Sequence, residues 1–252
     1  MHEDNRVSII MPAYNAERFI GEAVESVQAQ GFENWELLVA DDRSTDRTVA
    51  IVKSIALNDP RVRVLISEKN GGPAAARNLA IQSAGGRYIA FLDSDDVWLP
   101  QKLETQLEFM RSSNTALTYT RYRRIDEDGI VVGHLVSVPS QLNYQQLLRN
   151  TAIVTSTVMI DRSLVGDFHM KHTYYDDYAL WLEIVRRGFV AKGLRQDLTR
   201  YRVVGNSVSR KKGKSALMVW RTYRDVENLG LLRSMWSFSG YIWNAIRKYR
   251  RF

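Results

Sequence analysis

Asp93-Ser94-Asp95-Asp96 sets three carboxylates within four residues, directly after the apolar run Tyr88-Ile89-Ala90-Phe91-Leu92. Like charges this close repel, so they call for a cation or for hydrogen-bond donors. As hard oxygen ligands they suit Mg2+ or Mn2+, ions that commonly bridge to substrate phosphates. The same residues also read as a solvated turn capping the next helix, since acidic side chains favour helix starts. A second acidic turn, Asp41-Asp42-Arg43-Ser44, follows the run Trp35 to Ala40. Alone it is equally an Asx turn with an N-cap. Two acidic turns after two apolar runs point to one crevice.

Further polar turns follow the same rule. Pro12-Ala13-Tyr14-Asn15 comes after Val7 to Met11, and Lys69-Asn70-Gly71-Gly72 after Val62 to Ile66. Gly71 and Gly72 allow close backbone approach, and Arg77 lies about one turn inside the helix they open. Helix N-termini attract phosphate, and an Arg adds a fork of donors. Near Tyr174-Tyr175-Asp176-Asp177-Tyr178, either aspartate could cap a helix, and one could be a general base. His169 and His172 read as surface residues rather than metal ligands. No Gly-x-Gly-x-x-Gly follows the first run and no Gly-x-x-x-x-Gly-Lys-Ser/Thr occurs, which argues against a dinucleotide fold and a P-loop NTPase.

The elements that must position these turns alternate. The first four apolar runs read as buried strands. Between them, Phe19 to Val27, Asp46 to Leu57 and the segment from Pro73 to Gly85-Gly86 have helical spacing, with Pro73 as an N1 residue. Strands alternating with helices imply a parallel sheet covered on both faces. Ligands then bind beyond the carboxyl ends of the strands, where these turns lie. In the second half, Leu99 to Arg111 reads as a helix. Ala116 to Tyr122 and Ile130 to Val136 form a hairpin about Asp126-Glu127-Asp128-Gly129. Thr155 to Ile160 reads as a strand, and Asp177 to Arg187 as a helix with Trp181 inward.

The chain has 252 residues, no Cys, and a net charge of +7. The absence of Cys excludes a disulfide scaffold, a Cys-ligated zinc or iron–sulfur site and a Cys nucleophile. No run approaches about 18 apolar residues, so no spanning helix is expected, and the opening residues suggest no signal peptide. A cytoplasmic protein is expected. Residues 205–252 hold 11 Lys/Arg and 2 Asp/Glu, a net +9, while 1–204 hold 24 and 26, a net −2. All the positive excess is in the tail.

The ordered set of turns resembles family 2 glycosyltransferases, inverting enzymes of the GT-A fold. The resemblance runs through Pro12-Ala13-Tyr14-Asn15, Asp41-Asp42-Arg43-Ser44-Thr45-Asp46, Asn70 to Asn78, Asp93-Ser94-Asp95-Asp96 and Asp176-Asp177-Tyr178-Ala179-Leu180-Trp181. It reaches Tyr201-Arg202 and Asn206-Ser207-Val208-Ser209. The tail, with Trp220 and Tyr223 and then Ser237-Phe238 and Tyr241, resembles that of short bacterial members that build O-antigen, capsule or teichuronic acid. The resemblance implies an α/β fold: a Rossmann-like, mostly parallel sheet flanked by helices, with a mixed second half and a C-terminal helical extension. A catalytic domain over 1–204 would divide into a nucleotide-sugar half, about 1–98, and an acceptor half, about 99–204.

The resemblance also implies roles. Pro12, Ala13, Tyr14 and Asp41 or Asp42 line a uridine pocket. Asn70, Gly71, Arg77 and Ser94 lie near the nucleotide-sugar, with Asp93 toward the ribose. Asp95, with Asp96 beside it, holds Mn2+ or Mg2+. Asp177 is the base, and Asp176, Trp181, Ser207 and Ser209 serve the acceptor or a loop near the diphosphate. The family more often has Glu at the position of Asp176 and Asn at that of Arg210. A UDP-sugar donor and a glycan or undecaprenyl-diphosphate-linked acceptor follow, and no nucleic acid. The alternatives are a nucleotidylyltransferase, which would want a Gly-rich basic turn after the first strand, and a non-catalytic binding module. In the tail, apolar residues recur at helical spacing beside Arg247, Lys248, Arg250 and Arg251. That pattern fits either a docked helix or one lying in the membrane interface against anionic lipid, peripheral on the inner face of the cell membrane.

Overall fold

The computed structural model describes residues 3–204 and 212–249. The first half alternates as expected: β1 (Glu3–Ala13), α1 (Ile20–Gln28), β2 (Trp35–Asp41), α2 (Thr48–Ala56), β3 (Val62–Ile66), α3 (Gly72–Ser83) and β4 (Gly86–Phe91). Then come β5 (Val97–Trp98), α4 (Lys102–Ser112), β6 (Leu117–Ile125), β7 (Val132–Val136), β8 (Gln141–Leu142) and α5 (Tyr144–Leu148). A 3-10 turn at Thr155–Thr157 leads into β9 (Met159–Asp161), α6 (Arg162–Val165), α7 (Asp176–Arg186) and β10 (Ala191–Arg202). The tail holds α8 (Lys212–Arg221), a π-helical turn at Thr222–Val226, and α9 (Leu231–Tyr249).

One sheet runs in the order β3-β2-β1-β4-β9-β6-β10-β5, with β7 on β6 and β8 on β10. β1, β2, β3 and β4 pair in parallel. β9 is antiparallel to both β4 and β6, so β6, and β10 parallel to it, point the same way as β1. The carboxyl ends of β1, β2, β3, β4, β6 and β10 therefore share one rim. A helix joining parallel strands runs back across the sheet, so α3, between β3 and β4, begins at that rim. α7, which leads into the start of β10, also begins there, its Asp176 and Asp177 lining a cavity with Asp93.

Buried parallel strands read as continuous apolar runs because both faces are covered. Every residue of β2 is buried. Ile9 and Met11 pack toward α1, α2 and α4, while Ile10, Leu38, Ile89 and Phe91 pack toward α3, α5 and α7. β1 runs through Pro12 to Ala13 instead of ending at the proline. Asp42 N–H donates to the Ala13 carbonyl, so Ala13 faces β2 and the Pro12 nitrogen faces the side where pairing with β4 ended at Ile10. The missing N–H costs no ladder bond there.

The tail docks on the second half. Asn244 Nδ2 donates to the Arg149 carbonyl at 2.9 Å and Tyr144 donates to Glu227 at 2.6 Å, while within the tail Trp220 of α8 meets Phe238 of α9 edge-on with centroids 5.4 Å apart. Ser207, Ser209 and Arg210 lie outside the described residues.

Candidate active site

The turns after β1 and β2 lock each other. Asn15, at φ 48°, accepts from Thr45 N–H through its side chain, and its own N–H donates to Ser44 Oγ at 2.9 Å. Asp46 accepts from the N–H groups of Thr48 and Glu17. Much of these two motifs is thus spent on holding the turns together. What remains facing inward is Pro12, Ala13, Tyr14 and Asp42, which line a cavity of about 300 Å³ with Asn70, Gly72, Arg77, Asp93, Ser94 and Asp95.

Asp42 is fixed by the third turn. Its two oxygens accept from Gly71 N–H at 2.8 Å and Gly72 N–H at 2.7 Å. Gly72 sits at φ +81°, a conformation that suits glycine and presents its N–H to that carboxylate. Since Asp42 already takes these helix-end donors, the expected phosphate site at the start of α3 is not free as drawn. Arg77 is the cation left toward the cavity. Gly71 acts by holding Asp42 and does not line the cavity. Asp41 is 1% exposed and sits outside the cavity lining, with Oδ2 accepting from Ser44 N–H at 3.0 Å.

The acidic turn after β4 divides its three carboxylates. Asp93 accepts from Arg77 Nη2 at 2.5 Å. Asp95 lines the cavity, and burial, then repulsion from Asp93, pushes its carboxyl up to about 6. Asp96 is turned away and fully buried: one oxygen accepts from Ser156 Oγ at 2.5 Å and the other from Arg202 N–H at 2.8 Å. Burial and its two acidic neighbours hold its carboxyl well above the usual range. The expectation that Asp96 lies beside a metal is corrected on this point, because both its oxygens are committed to the protein behind the site. Arg202, its side chain 1% exposed, also donates to the Asp95 carbonyl at 2.8 Å and to Glu22 at 2.5 Å, pinning the turn to β10 and α1.

A second cavity, of about 360 Å³, adjoins the first through Pro73, Arg77 and Asp93, which line both. Asp176 and Asp177 enter it from the start of α7, Tyr122 and Arg124 from the end of β6, Tyr201 from the end of β10, and Tyr241 from α9. Asp177 accepts from the Thr155 hydroxyl and from Tyr178 N–H at 2.6 Å. Burial pushes its carboxyl up, while Arg77 and the Thr155 hydroxyl pull it back. Asp176 accepts from Thr173 N–H at 2.6 Å.

Thr155 and Ser156 are the residues that sequence reasoning missed. The stretch Thr155 to Ile160, expected as one strand, is a 3-10 turn followed by β9. That turn puts Thr155 on Asp177 and Ser156 between Asp93 N–H and Asp96, so one turn holds both acidic centres. Trp181, expected on the acceptor side as a site residue, is corrected: it is fully buried edge-on against Phe91 at 5.5 Å. His169 and His172 are exposed, as expected.

A family model for glycosyl transferase family 2 matches residues 8–167. The chain belongs to glycosyltransferase family 2. Across 243 residues, 96% of each chain, it is 42% identical to the putative teichuronic acid biosynthesis glycosyltransferase TuaG of Bacillus subtilis. It is 39% identical to the UDP-Glc:alpha-D-GlcNAc-diphosphoundecaprenol beta-1,3-glucosyltransferase WfgD of Escherichia coli, over 98% of this chain and 96% of that one. Among solved structures, S. aureus TarS with UDP superposes at a TM-score of 0.69 and 20% identity, over 94% of this chain and 70% of that chain. The mannosyltransferase PcManGT of Pyrobaculum calidifontis, with GDP-Man and Mn2+, superposes at 0.71 and 17% identity, over 95% and 74%. These likenesses give the family 2 chain the GT-A fold. The membership sets aside the nucleotidylyltransferase and non-catalytic alternatives.

Family 2 enzymes of this fold typically use a divalent cation, and the donors here fit one. Asp95 offers a carboxylate that accepts from no other side chain among the described residues, in a crevice where a second carboxylate raises its proton affinity. No three His, Asp or Glu side chains converge among the described residues, so an ion here would draw ligands from substrate oxygens as well.

Proposed function

We propose that this family 2 glycosyltransferase moves a sugar from a UDP-sugar to a lipid-linked sugar acceptor, with inversion at the anomeric carbon. What carries the reading is the pair of cavities that share the Arg77–Asp93 wall: one has Asp42 and Asp95, the other Asp177. A donor and an acceptor can then meet at that wall.

In this reading Asp42 accepts the uracil N–H through its remaining lone pairs, with Tyr14 and Pro12 beside the base. Asp93 and Ser94 lie toward the ribose and Arg77 toward the diphosphate. Asp95 would hold Mn2+ or Mg2+, whose charge offsets that of the departing diphosphate. Asp177 takes the proton of the acceptor hydroxyl as that oxygen bonds to the anomeric carbon and the bond to UDP breaks. Burial raises the Asp177 carboxyl, and Arg77 is the largest influence opposing that rise, which favours the ionised base. The tyrosines of the second cavity offer flat faces for the acceptor sugar, and Asp176 a hydrogen-bond acceptor. The Escherichia coli relative is named for a UDP-glucose donor, a diphosphoundecaprenol acceptor and a β product. An α-linked donor giving a β product is an inversion. A lipid acceptor would make this a peripheral protein of the cytoplasmic membrane face. Among the described residues no helix is long and apolar enough to cross a membrane.

Calorimetry of UDP binding with and without Mn2+ tests the donor side, and tighter binding with the ion is expected. A panel of UDP-sugars offered to undecaprenyl-diphosphate-sugar analogues tests the reaction. A product whose new linkage retains the donor's configuration would remove the single displacement and with it the role of Asp177.

A further inference from the structure

Helix α9 departs from the usual rule for a surface helix, which buries its apolar stripe and shows its polar one. Its docked side carries Ser234, Ser237 and Gly240, all buried. Gly240 lies so close to Arg149 that a Cβ there would meet its Nε at 2.2 Å. Its outer side carries Leu232, Met235, Trp236, Ile242, Trp243 and Ile246, from 42% to 84% exposed. At about 100° per residue these six fall within an arc of about 120°, and Ser239 is the one polar residue among them. The docked side also seats Phe238 and Tyr241 against the core, so the six outward apolar residues form a second, unpartnered stripe. A patch of this kind marks a surface that is covered in use.

The charge says by what. From Leu229 to the C terminus the sequence has five Lys/Arg and no Asp or Glu. An apolar stripe with two exposed tryptophans, in a stretch of sequence whose charges are all positive, matches an anionic bilayer surface, where apolar burial and attraction to headgroups add. A second copy would bring the same positive charge against itself. We propose that α9 docks on an anionic lipid surface through the outer stripe of Leu232, Met235, Trp236, Ile242, Trp243 and Ile246.

The placement has a consequence for the acceptor cavity. Tyr241, on the docked side of the same helix, lines that cavity. Docking therefore sets the cavity about one helix diameter, roughly 10 Å, above the surface. This consequence rests on the reading of a lipid-linked acceptor; the docking itself does not, and it is measured without any sugar transfer.

The test uses the full chain with extruded vesicles of phosphatidylglycerol and phosphatidylcholine, and with phosphatidylcholine alone. The wild type is expected to sediment with the anionic vesicles at least tenfold more strongly than with the neutral ones, to be released by high salt, and to show a blue shift of tryptophan fluorescence. W243E with I246E should weaken binding at least tenfold with an unchanged thermal melt. W236S with W243S, which adds no charge, should weaken it as well. Wild type left in the supernatant, equal binding to both vesicle types, or folded variants that sediment like wild type would each overturn the proposal. So would a concentration-dependent dimer, seen by ultracentrifugation, that the same substitutions disperse while vesicles capture nothing. If vesicle binding fails and transfer to a lipid-linked sugar succeeds, the catalytic reading stands alone.

Discussion

Arg77 donates to Asp93 at 2.5 Å, and this ion pair is the partition between the two cavities of the site. The guanidinium is buried, and its field reaches Asp177 on the far side as well as Asp93 on the near side. Arg77→Met should therefore act on both. Donor affinity should fall because a cation near the diphosphate is lost. The acid limb of kcat should also move to higher pH, since Arg77 is the largest influence lowering the Asp177 carboxyl against its burial. A base is active when ionised, so raising its pKa removes rate on the acid side first. The check is a pH–rate profile at saturating donor; an unmoved acid limb would show that Arg77 does not govern the base.

Asp177→Asn keeps the shape of the side chain and can still meet Thr155, but it cannot take a proton. Donor binding, which is assigned to the other cavity, should persist. The single-turnover rate should drop by about 10²–10⁴-fold, the usual worth of a positioned base. If UDP-sugar affinity collapses while the rate at saturation survives, Asp177 belongs to donor binding.

Asp95→Ala should abolish most transfer while leaving the thermal melt near wild type, because the Asp95 carboxylate faces the cavity. Asp96→Ala should do the reverse in part: it removes the acceptor of Ser156 and of the Arg202 N–H, so the melt should fall. Chelation by EDTA should silence the wild type, and Mn2+ or Mg2+ should restore it. A folded Asp95→Ala enzyme with normal turnover would separate the ion from this residue.

The first half of the fold was legible because β2 and the cores of β1 and β4 are buried on both faces and so are written as apolar runs, while the edge strand β3 keeps only Arg63 among apolar residues. β10 was not. It is 12 residues long but reads Lys192, Arg195, Gln196, Asp197 and Arg200 among its apolar residues. Irregularities on either side of Asp197 break the alternation, and Asp197 pairs with Arg123 and Arg200, both at 2.7 Å. Bulges hide a strand from any period-2 pattern. The acidic turns were legible because charge directly after an apolar run needs a reason. Which of Asp95 and Asp96 faces the cavity was not, since adjacency in sequence does not fix direction. Thr155 and Ser156 gave no signal at all: hydroxyls between Ile153-Val154 and Val158-Met159 pass for a buried strand.

The last prediction concerns a lysine that lies outside the site. Lys102, in the first turn of α4, is fully buried; its Nζ lies 3.6 Å from the centroid of the Trp98 ring and has no hydrogen-bond partner among the described residues. Burial drives its pKa well below the ordinary lysine range. Between the folded and unfolded pKa values the unfolded chain binds a proton that the folded one does not. Stability therefore rises with pH through that window, up to about pH 10.4. Lys102→Met has nearly the same shape and no amine to desolvate. It should stabilise the protein at neutral pH by about 1–3 kcal/mol, the usual cost of an unpaired buried polar group. For a chain of this size that is roughly 2–4 °C of Tm per kcal/mol. The gain should shrink as pH approaches 10, because the wild type is then losing its penalty. Thermal melts of both proteins from pH 6 to pH 10 decide it. A methionine variant that melts below wild type across that range would mean the ammonium–ring contact outweighs the desolvation.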